Sequence, residues 1–242
     1  MNETAIIIPA RYDSTRLKAK LLIEVKDKPV IQWVWEKAVE ANLADRVIIA
    51  TDNQQIFETA EGFGAEVEMT SEEHTSGSDR IAEVVERHPE ISYIVNLQGD
   101  EPLITSDSIN QVIKDIKCEN TDISTLIRVL KDKKEIENPN CVKCIIDNNG
   151  YALYFSRSKI PYEREQGVTT FYGHLGIYGY KRESLLKMTN LPQSDLETAE
   201  KLEQLRALQA GMRIKTYVVD FKPVGIDTIE DLKQFEEIIS KS

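Results

Sequence analysis

Short runs rich in Ile and Val alternate, through the first half of this chain, with stretches whose apolar residues recur at helical spacing. Ala5–Ile8, Arg46–Ala50, Val67–Met69 and Ser92–Gln98 read as strands. Pro29–Ala41, Gln54–Phe63, Asp79–Arg87 and Ser106–Lys117 read as helices. The first of these helices has proline at its start, where a missing N–H is tolerated. Strands that alternate with helices in this way imply crossover connections, and therefore parallel βαβ units in a doubly wound, mostly parallel α/β sheet.

The rhythm changes after about residue 120. Asp122–Leu130, Cys141–Ile146, Tyr151–Ser156 and Gly173–Tyr180 all read as strands, with one helix candidate among them. The expectation is an antiparallel extension over residues 122–190, packing against a partner, inside a single domain that spans residues 1–242. The α/β order then returns with a helix over Asp195–Ala210, a strand over Ile214–Val219 and a last helix over Ile229–Ser240. Ser194 and Glu197 have capping-box spacing at the start of the first of these, and Gly211 suits its stop. Leu202, Leu205, Leu208 and Met212 form its apolar stripe, with Glu200, Glu203 and Gln204 on the other face. No repeat and no Gly-, Pro- or Ser-rich linker interrupts the chain.

Ligands of open α/β sheets bind beyond the carboxyl ends of the strands. The segment after the first strand, "IIIPARYDSTRLKAK", places Arg11, Arg16, Lys18 and Lys20 within ten residues, alongside the hydroxyls of Ser14 and Thr15. The chain as a whole is acidic, with 41 Asp and Glu against 30 Lys and Arg and a net charge of −11. A local excess of cations in such a chain suits a triphosphate clamp, since arginine grips phosphate through two parallel hydrogen bonds. A solvated basic loop is the other reading. The segment lacks glycine, so it is neither a Walker loop nor a dinucleotide fingerprint, and a dinucleotide-dependent dehydrogenase is disfavoured. The overall charge argues against nucleic acid or an anionic membrane as partner.

Two aspartates stand at similar strand ends. Asp100, in "NLQGDEP", is well sited to hold Mg²⁺ against phosphate oxygens, although Gly-Asp-Glu-Pro is also ordinary turn chemistry. Asp227, in "GIDTIEDL", has Glu230 three positions on and reads either as a metal ligand or as the cap of the last helix. "EEHTSGSDR" is a polar loop entering a helix whose free N–H groups can receive an anion or the edge of a base. His74 lies in that loop, whereas His88 at the helix end reads as structural. Arg157, His174 and Tyr178 are candidates for holding a polar, anionic second substrate, and the last two fall on one strand face. Cys141 and Cys144 read as plain strand cysteines that point to opposite faces. Neither zinc nor redox chemistry is expected of them. No apolar run approaches the roughly 20 residues of a bilayer span, and no signal-like lead-in precedes the first strand, so a cytoplasmic protein is expected.

The stretches "IIPARYDSTRLKAK", "ATD", "HTSGSDR", "NLQGDEP", "GYALYFSRSKIP", "HLGIYGY", "LEQLRAL" and "GIDT" occur in this order across nearly the whole chain. Together they resemble the 3-deoxy-manno-octulosonate (Kdo) cytidylyltransferases. That resemblance implies a nucleotide-diphospho-sugar transferase-like fold and a homodimeric, Mg²⁺-dependent enzyme. Its implied reaction takes CTP and Kdo to CMP-Kdo and pyrophosphate, for lipopolysaccharide synthesis. It implies Lys20, Asp100 and Asp227 as catalytic, with Asp100 and Asp227 as the Mg²⁺ ligands. CTP contacts would come from Ala10, Arg11, Ser14, Thr15, Arg16, Lys20, Thr51, Asp52, His74, Ser76, Gly77, Arg80 and Gln98, and sugar contacts from Arg157, His174, Tyr178, Glu203 and Gln204. Two departures stand out. Ser-Gly-Ser-Asp-Arg replaces the commoner Ser-Gly-Thr-Glu-Arg, which keeps the hydroxyl and the carboxylate. Lys18-Ala19-Lys20 replaces Pro-Gly-Lys, which predicts a looser turn. A branch acting on the 8-amino sugar carries Gln at the place of Glu101 and lacks the histidine, so Glu101 and His74 favour ordinary Kdo. A cytidylyltransferase for a sialic-type sugar and a catalytically inactive nucleotide-binding regulator are the rival readings.

Overall fold

A computed structural model describes residues 2–12, 17–165, 167–221 and 225–241. Its first half runs β1 (Glu3–Ala10), a 3-10 turn (Lys20–Leu22), a small hairpin of β2 (Glu24–Val25) and β3 (Lys28–Pro29), α1 (Val30–Val39), β4 (Arg46–Thr51), α2 (Gln54–Gly62), β5 (Glu66–Met69), α3 (Gly77–Arg87), β6 (Ile91–Asn96) and α4 (Ser106–Ile116). Its second half runs β7 (Ile123–Leu130), α5 (Lys133–Glu137), β8 (Lys143–Ile146), β9 (Ala152–Ser156), β10 (Phe171–Lys181), α6 (Arg182–Thr189), α7 (Asp195–Glu200), α8 (Gln204–Gln209), β11 (Ile214–Val219) and α9 (Ile229–Ile239).

The main sheet has the order β11-β7-β10-β6-β1-β4-β5, with β8 joined to β10 and β9 to β8. β1 is parallel to both β4 and β6, β5 is parallel to β4, and β11 is parallel to β7. β10 runs antiparallel to both β6 and β7. Within the expected extension, β7 and β10 therefore lie inside the main sheet, and β8 and β9 add to it from β10.

The alternation of side chains along β1 explains the layering. Ile6 and Ile8 enter one core with Val30 and Ile31 of α1, Ile109 of α4 and Phe235 of α9. Ala5 and Ile7 enter the other with Ile81 and Val84 of α3 and Leu185 of α6. All four β1 residues are fully buried, which suits a parallel strand covered on both faces. Each isoleucine so buried contributes about 2–3 kcal/mol.

Three expectations need correction. The helix expected over Asp195–Ala210 is broken, because Lys201 takes the left-handed conformation (φ 53°) and separates α7 from α8. Good helix formers surround the break, so tertiary contacts impose it. Arg157 Nε donates to the Glu200 carbonyl at 2.7 Å and Arg157 Nη2 to that of Lys201 at 3.3 Å. The single stripe and opposite polar face are consequently lost, and Gln204 is buried beside Leu205. The cap of α9 is Thr228, in a capping box with Asp231, and not Asp227 with Glu230. β8 begins at Lys143, so Cys141 precedes the strand while Cys144 is buried in it, and neither forms a disulfide. The capping box of Ser194 and Glu197, and Gly211 at φ 77° after α8, stand as expected.

Candidate active site

At the carboxyl end of β1 and β6 lies a cavity of about 540 Å³, lined among others by Arg11, Lys20, His74, Arg80, Gln98, Asp100, Glu101 and Asp227. The turn that delivers Lys20 is tight. Ala19 takes φ 52°, and Leu22 N donates to its carbonyl at 2.9 Å. Alanine thus adopts the conformation glycine would adopt freely, at a cost of about 1–2 kcal/mol. The looser turn expected from the Lys-Ala-Lys departure does not occur.

Lys20 is the centre of the charge arrangement. Its Nζ donates to Asp227 Oδ1 at 2.9 Å and makes a short contact with Asp100 Oδ2. Burial opposes its charge, but the two carboxylates outweigh burial and lift its pKa above the ordinary lysine value. Because Thr228 caps α9, the Asp227 carboxylate is released from capping and reaches Lys20. The main chain brings the two aspartate segments together as well, since Ile226 N donates to the Asp100 carbonyl at 2.8 Å. Glu101 lines the same cavity. Burial, then the charges of Asp100 and Asp227, push its carboxyl up to about 7.

The opposite wall is the start of α3. Ser76 caps it by accepting from Asp79 N at 3.1 Å. A Cβ at Gly77 would meet Pro9 Cγ at 3.2 Å, so a side chain there would press α3 off the end of β1. One turn on, Arg80 is 3% exposed and is held by Asp52 and Thr70. Asp52 therefore acts on the cavity through Arg80. Thr51 is fully buried at the end of β4, paired in register with Ala10, and its hydroxyl accepts from Asn53 N at 3.2 Å. His74 is oriented by Glu83, and Gln98 Nε2 donates to Asn96 Oδ1 at 3.2 Å. Ser14, Thr15 and Arg16 lie outside the described residues.

The five expected sugar contacts lie beyond this lining. His174 and Tyr178 do share a face of β10, with ring centroids 5.3 Å apart, and Tyr178 stands opposite Asn96. Between them the register with β7 shifts, and Thr125 Oγ1 donates to the Ile177 carbonyl at 2.7 Å while touching His174 Nε2 at 3.0 Å. Such a bulge re-aims the strand beside a site. Here it brings Gly176 next to Glu101, whose Oε1 would lie 3.5 Å from a Cβ at that position. Burial pushes the His174 imidazole down to about 3, so it is neutral at physiological pH. Burial also raises the pKa of Tyr178 and of Glu203, the latter opposed by a hydrogen bond from Ser78. That bond, Ser78 Oγ to Glu203 Oε2 at 2.7 Å, ties α8 to the start of α3. Gln204 is 6% exposed, and its Nε2 has no protein partner among the described residues. Arg157 points its guanidinium at the carbonyls of Glu200, Lys201 and Pro139.

Glu101 had entered only as a discriminator between sugars, and Ser78 only as a conservative replacement. Glu101's adjacency to Asp100 was its available signal; nothing local pointed to Ser78.

A cavity at the strand ends of a doubly wound sheet, lined by Arg11, Lys20 and Arg80, suits a phosphate-bearing ligand, and a cytidylyltransferase family model matching residues 5–214 makes the chain a nucleotidyltransferase. The 3-deoxy-manno-octulosonate cytidylyltransferase of Thermodesulfovibrio yellowstonii is 46% identical over 250 residues, 98% of each chain. That of Fusobacterium nucleatum is 45% identical over 238 residues, covering 98% of this chain and 96% of its own. A solved structure of CMP:2-keto-3-deoxy-manno-octonic acid synthetase complexed with CTP matches with a TM-score of 0.95 at 36% identity, over 99% of both chains. The chain belongs to the 3-deoxy-manno-octulosonate cytidylyltransferase family.

Proposed function

We propose that this protein transfers CMP from CTP to Kdo, releasing pyrophosphate, as an Mg²⁺-dependent enzyme. The observation that carries the reading is the convergence of Asp100 and Asp227 on one cation, the Lys20 ammonium, inside the cavity. Two carboxylates aimed at a single positive centre suit Mg²⁺, which binds one or two carboxylates and completes its shell with water and substrate phosphates. No group of three or more His, Cys, Asp or Glu residues positioned for a metal occurs among the described residues. Asp100 and Asp227 would hold the ion, which when bound neutralises phosphate charge and lowers the pKa of a coordinated hydroxyl.

The chain's own groups then position the reactants. Arg11 and Lys20 face the phosphates and stabilise the negative charge that grows on departing pyrophosphate. The capped N-terminus of α3 presents N–H groups to the nucleotide, and Arg80, fixed by Asp52, adds a cation that needs no reorganisation. The anomeric hydroxyl of the sugar attacks the α-phosphorus in line with the leaving group, a reaction that depends chiefly on positioning. Neutral His174, Glu203 and Gln204, whose Nε2 has no partner among the described residues, would meet the sugar hydroxyls.

We further propose a homodimer formed through residues 122–190, where Leu153, Tyr162 and Val168 are exposed. A cytoplasmic location and a role in lipopolysaccharide synthesis complete the reading. No helix among the described residues is long and apolar enough to cross a membrane. A panel of acid sugars offered with CTP and Mg²⁺, scored by pyrophosphate release, tests the reaction. Kdo is expected to be the preferred acceptor. Silence with Kdo, or faster release with a sialic acid or the 8-amino sugar, would overturn it.

A further inference from the structure

Lys143 is fully buried, and it heads the largest side chains with no solvent contact. Among the described residues its ammonium forms no ion pair with a carboxylate. It donates instead to three main-chain carbonyls, of Asn138 at 2.8 Å, Cys141 at 2.6 Å and Arg157 at 2.7 Å. Lysine has three N–H donors and no acceptor, so all of its capacity is used. Burial lowers its pKa, with Glu137 and Glu200 opposing and Arg157 adding to the effect. A buried ammonium is costly to retain where an apolar side chain would fill the space. What the charge provides is a fixed point at which three separate stretches of main chain meet.

The consequences run toward the sugar end of the site. With its carbonyl held by Lys143, Arg157 turns its guanidinium onto the carbonyls of Pro139, Glu200 and Lys201. Its N–H donates to Glu200 Oε2 at 2.9 Å, and Ser156 Oγ donates to Glu200 Oε1 at 2.6 Å. Those bonds hold the end of α7 where Lys201 turns left-handed. Two residues later comes Glu203, fastened to Ser78 beside the nucleotide wall, and then Gln204, whose Nε2 has no partner among the described residues.

We propose that Lys143, acting through Arg157 and Glu200, is a positioning residue for the sugar pocket: it fixes the break between α7 and α8 that aims Glu203 and Gln204. The inference rests on the proposed function, since it takes those two residues as the groups that meet the acid sugar. Lys143 itself touches no substrate.

The test compares wild type with Lys143→Met, which keeps the volume and removes the donors, and with Ser156→Ala, which removes one bond to Glu200. Apparent KM for Kdo and for CTP are measured separately, with amide hydrogen exchange followed across residues 200–204. Lys143→Met should raise the sugar KM about tenfold or more while the CTP KM stays within about twofold, and exchange at the break should rise. Ser156→Ala should show the same pattern, weaker. Faster exchange with an unchanged ratio of the two KM values assigns Lys143 a purely structural role and overturns the proposal. If Lys143→Met yields no folded protein, Ser156→Ala decides: an unchanged sugar KM rejects the brace. Absence of turnover by wild type with Kdo sinks the proposed function, and the inference falls with it; wild-type turnover with an unmoved ratio sinks the inference alone.

Discussion

The two ends of the candidate site are built on opposite electrostatic principles. At the nucleotide end, charges are present and paired before any substrate arrives: Lys20 between Asp100 and Asp227, and Arg80 on Asp52. At the end proposed for the sugar, burial keeps His174 neutral, raises the pKa of Tyr178 and Glu203, and leaves Gln204 Nε2 without a partner among the described residues. The first end is preorganised for highly charged phosphates, whose desolvation needs fixed counter-charges. The second, with its neutral imidazole and buried amide, is suited to hydroxyls, which such donors and acceptors discriminate well. Attraction by charge and selection by hydrogen bond are thus given to different side chains.

Breaking the nucleotide end should have the largest effect. Asp100→Asn or Asp227→Asn is expected to lower kcat by about a thousandfold or more with CTP affinity much less affected, read by pyrophosphate release and by calorimetric titration with CTP. Near-normal rates in both variants would remove the carboxylate pair from the reaction. Next comes Arg80→Ala, which leaves the partly buried Asp52 carboxylate without its partner. A stability loss of about 3 kcal/mol is expected in urea unfolding, together with a higher KM for CTP. A variant as stable as wild type would show that this pair is not a preformed strut.

The sugar end should respond more gently. His174 has a folded pKa of about 3 against an ordinary value of 6.5. Below 6.5 the unfolded chain takes up a proton that the folded chain refuses, so the stability tied to this residue is complete above pH 6.5 and is lost as pH falls toward 3. Unfolding curves at pH 7.5, 6 and 5 should therefore converge in His174→Asn relative to wild type. Parallel curves for the two proteins would place the imidazole in contact with solvent. Smallest of all, Gln204→Met should leave stability unchanged or raise it by about 1 kcal/mol, because it removes a buried unpaired donor. The same variant should raise the KM for Kdo, and an unaltered sugar KM would take Gln204 out of the pocket.

The legibility of the molecule follows the same division. β1 and β4 to β6, with the helices between them, could be read directly, since period-2 and helical apolar patterns are local properties. Asp100 and Arg11 stood out because each follows a buried strand within a few residues. Asp227 looked equally like a helix cap, and only the structure assigned that task to Thr228. The break after α7 was invisible, because Glu-Lys-Leu-Glu-Gln-Leu is good helical sequence and the bonds that interrupt it come from Arg157, 43 positions away for the one to Glu200. Lys143 gave no sign of burial, since an amine in a short strand normally faces water.

From its sequence alone this chain determined a mostly parallel α/β sheet, a cationic loop after the first strand and a family resemblance carried by ordered motifs. The three-dimensional fold decided which carboxylates meet Lys20, where helix 195–210 breaks, and which polar groups are stripped of water. The physical reason is range. Backbone preference and apolar periodicity act between neighbours, whereas desolvation and charge pairing depend on whatever segment the fold brings within a few ångströms, however far away it is in sequence.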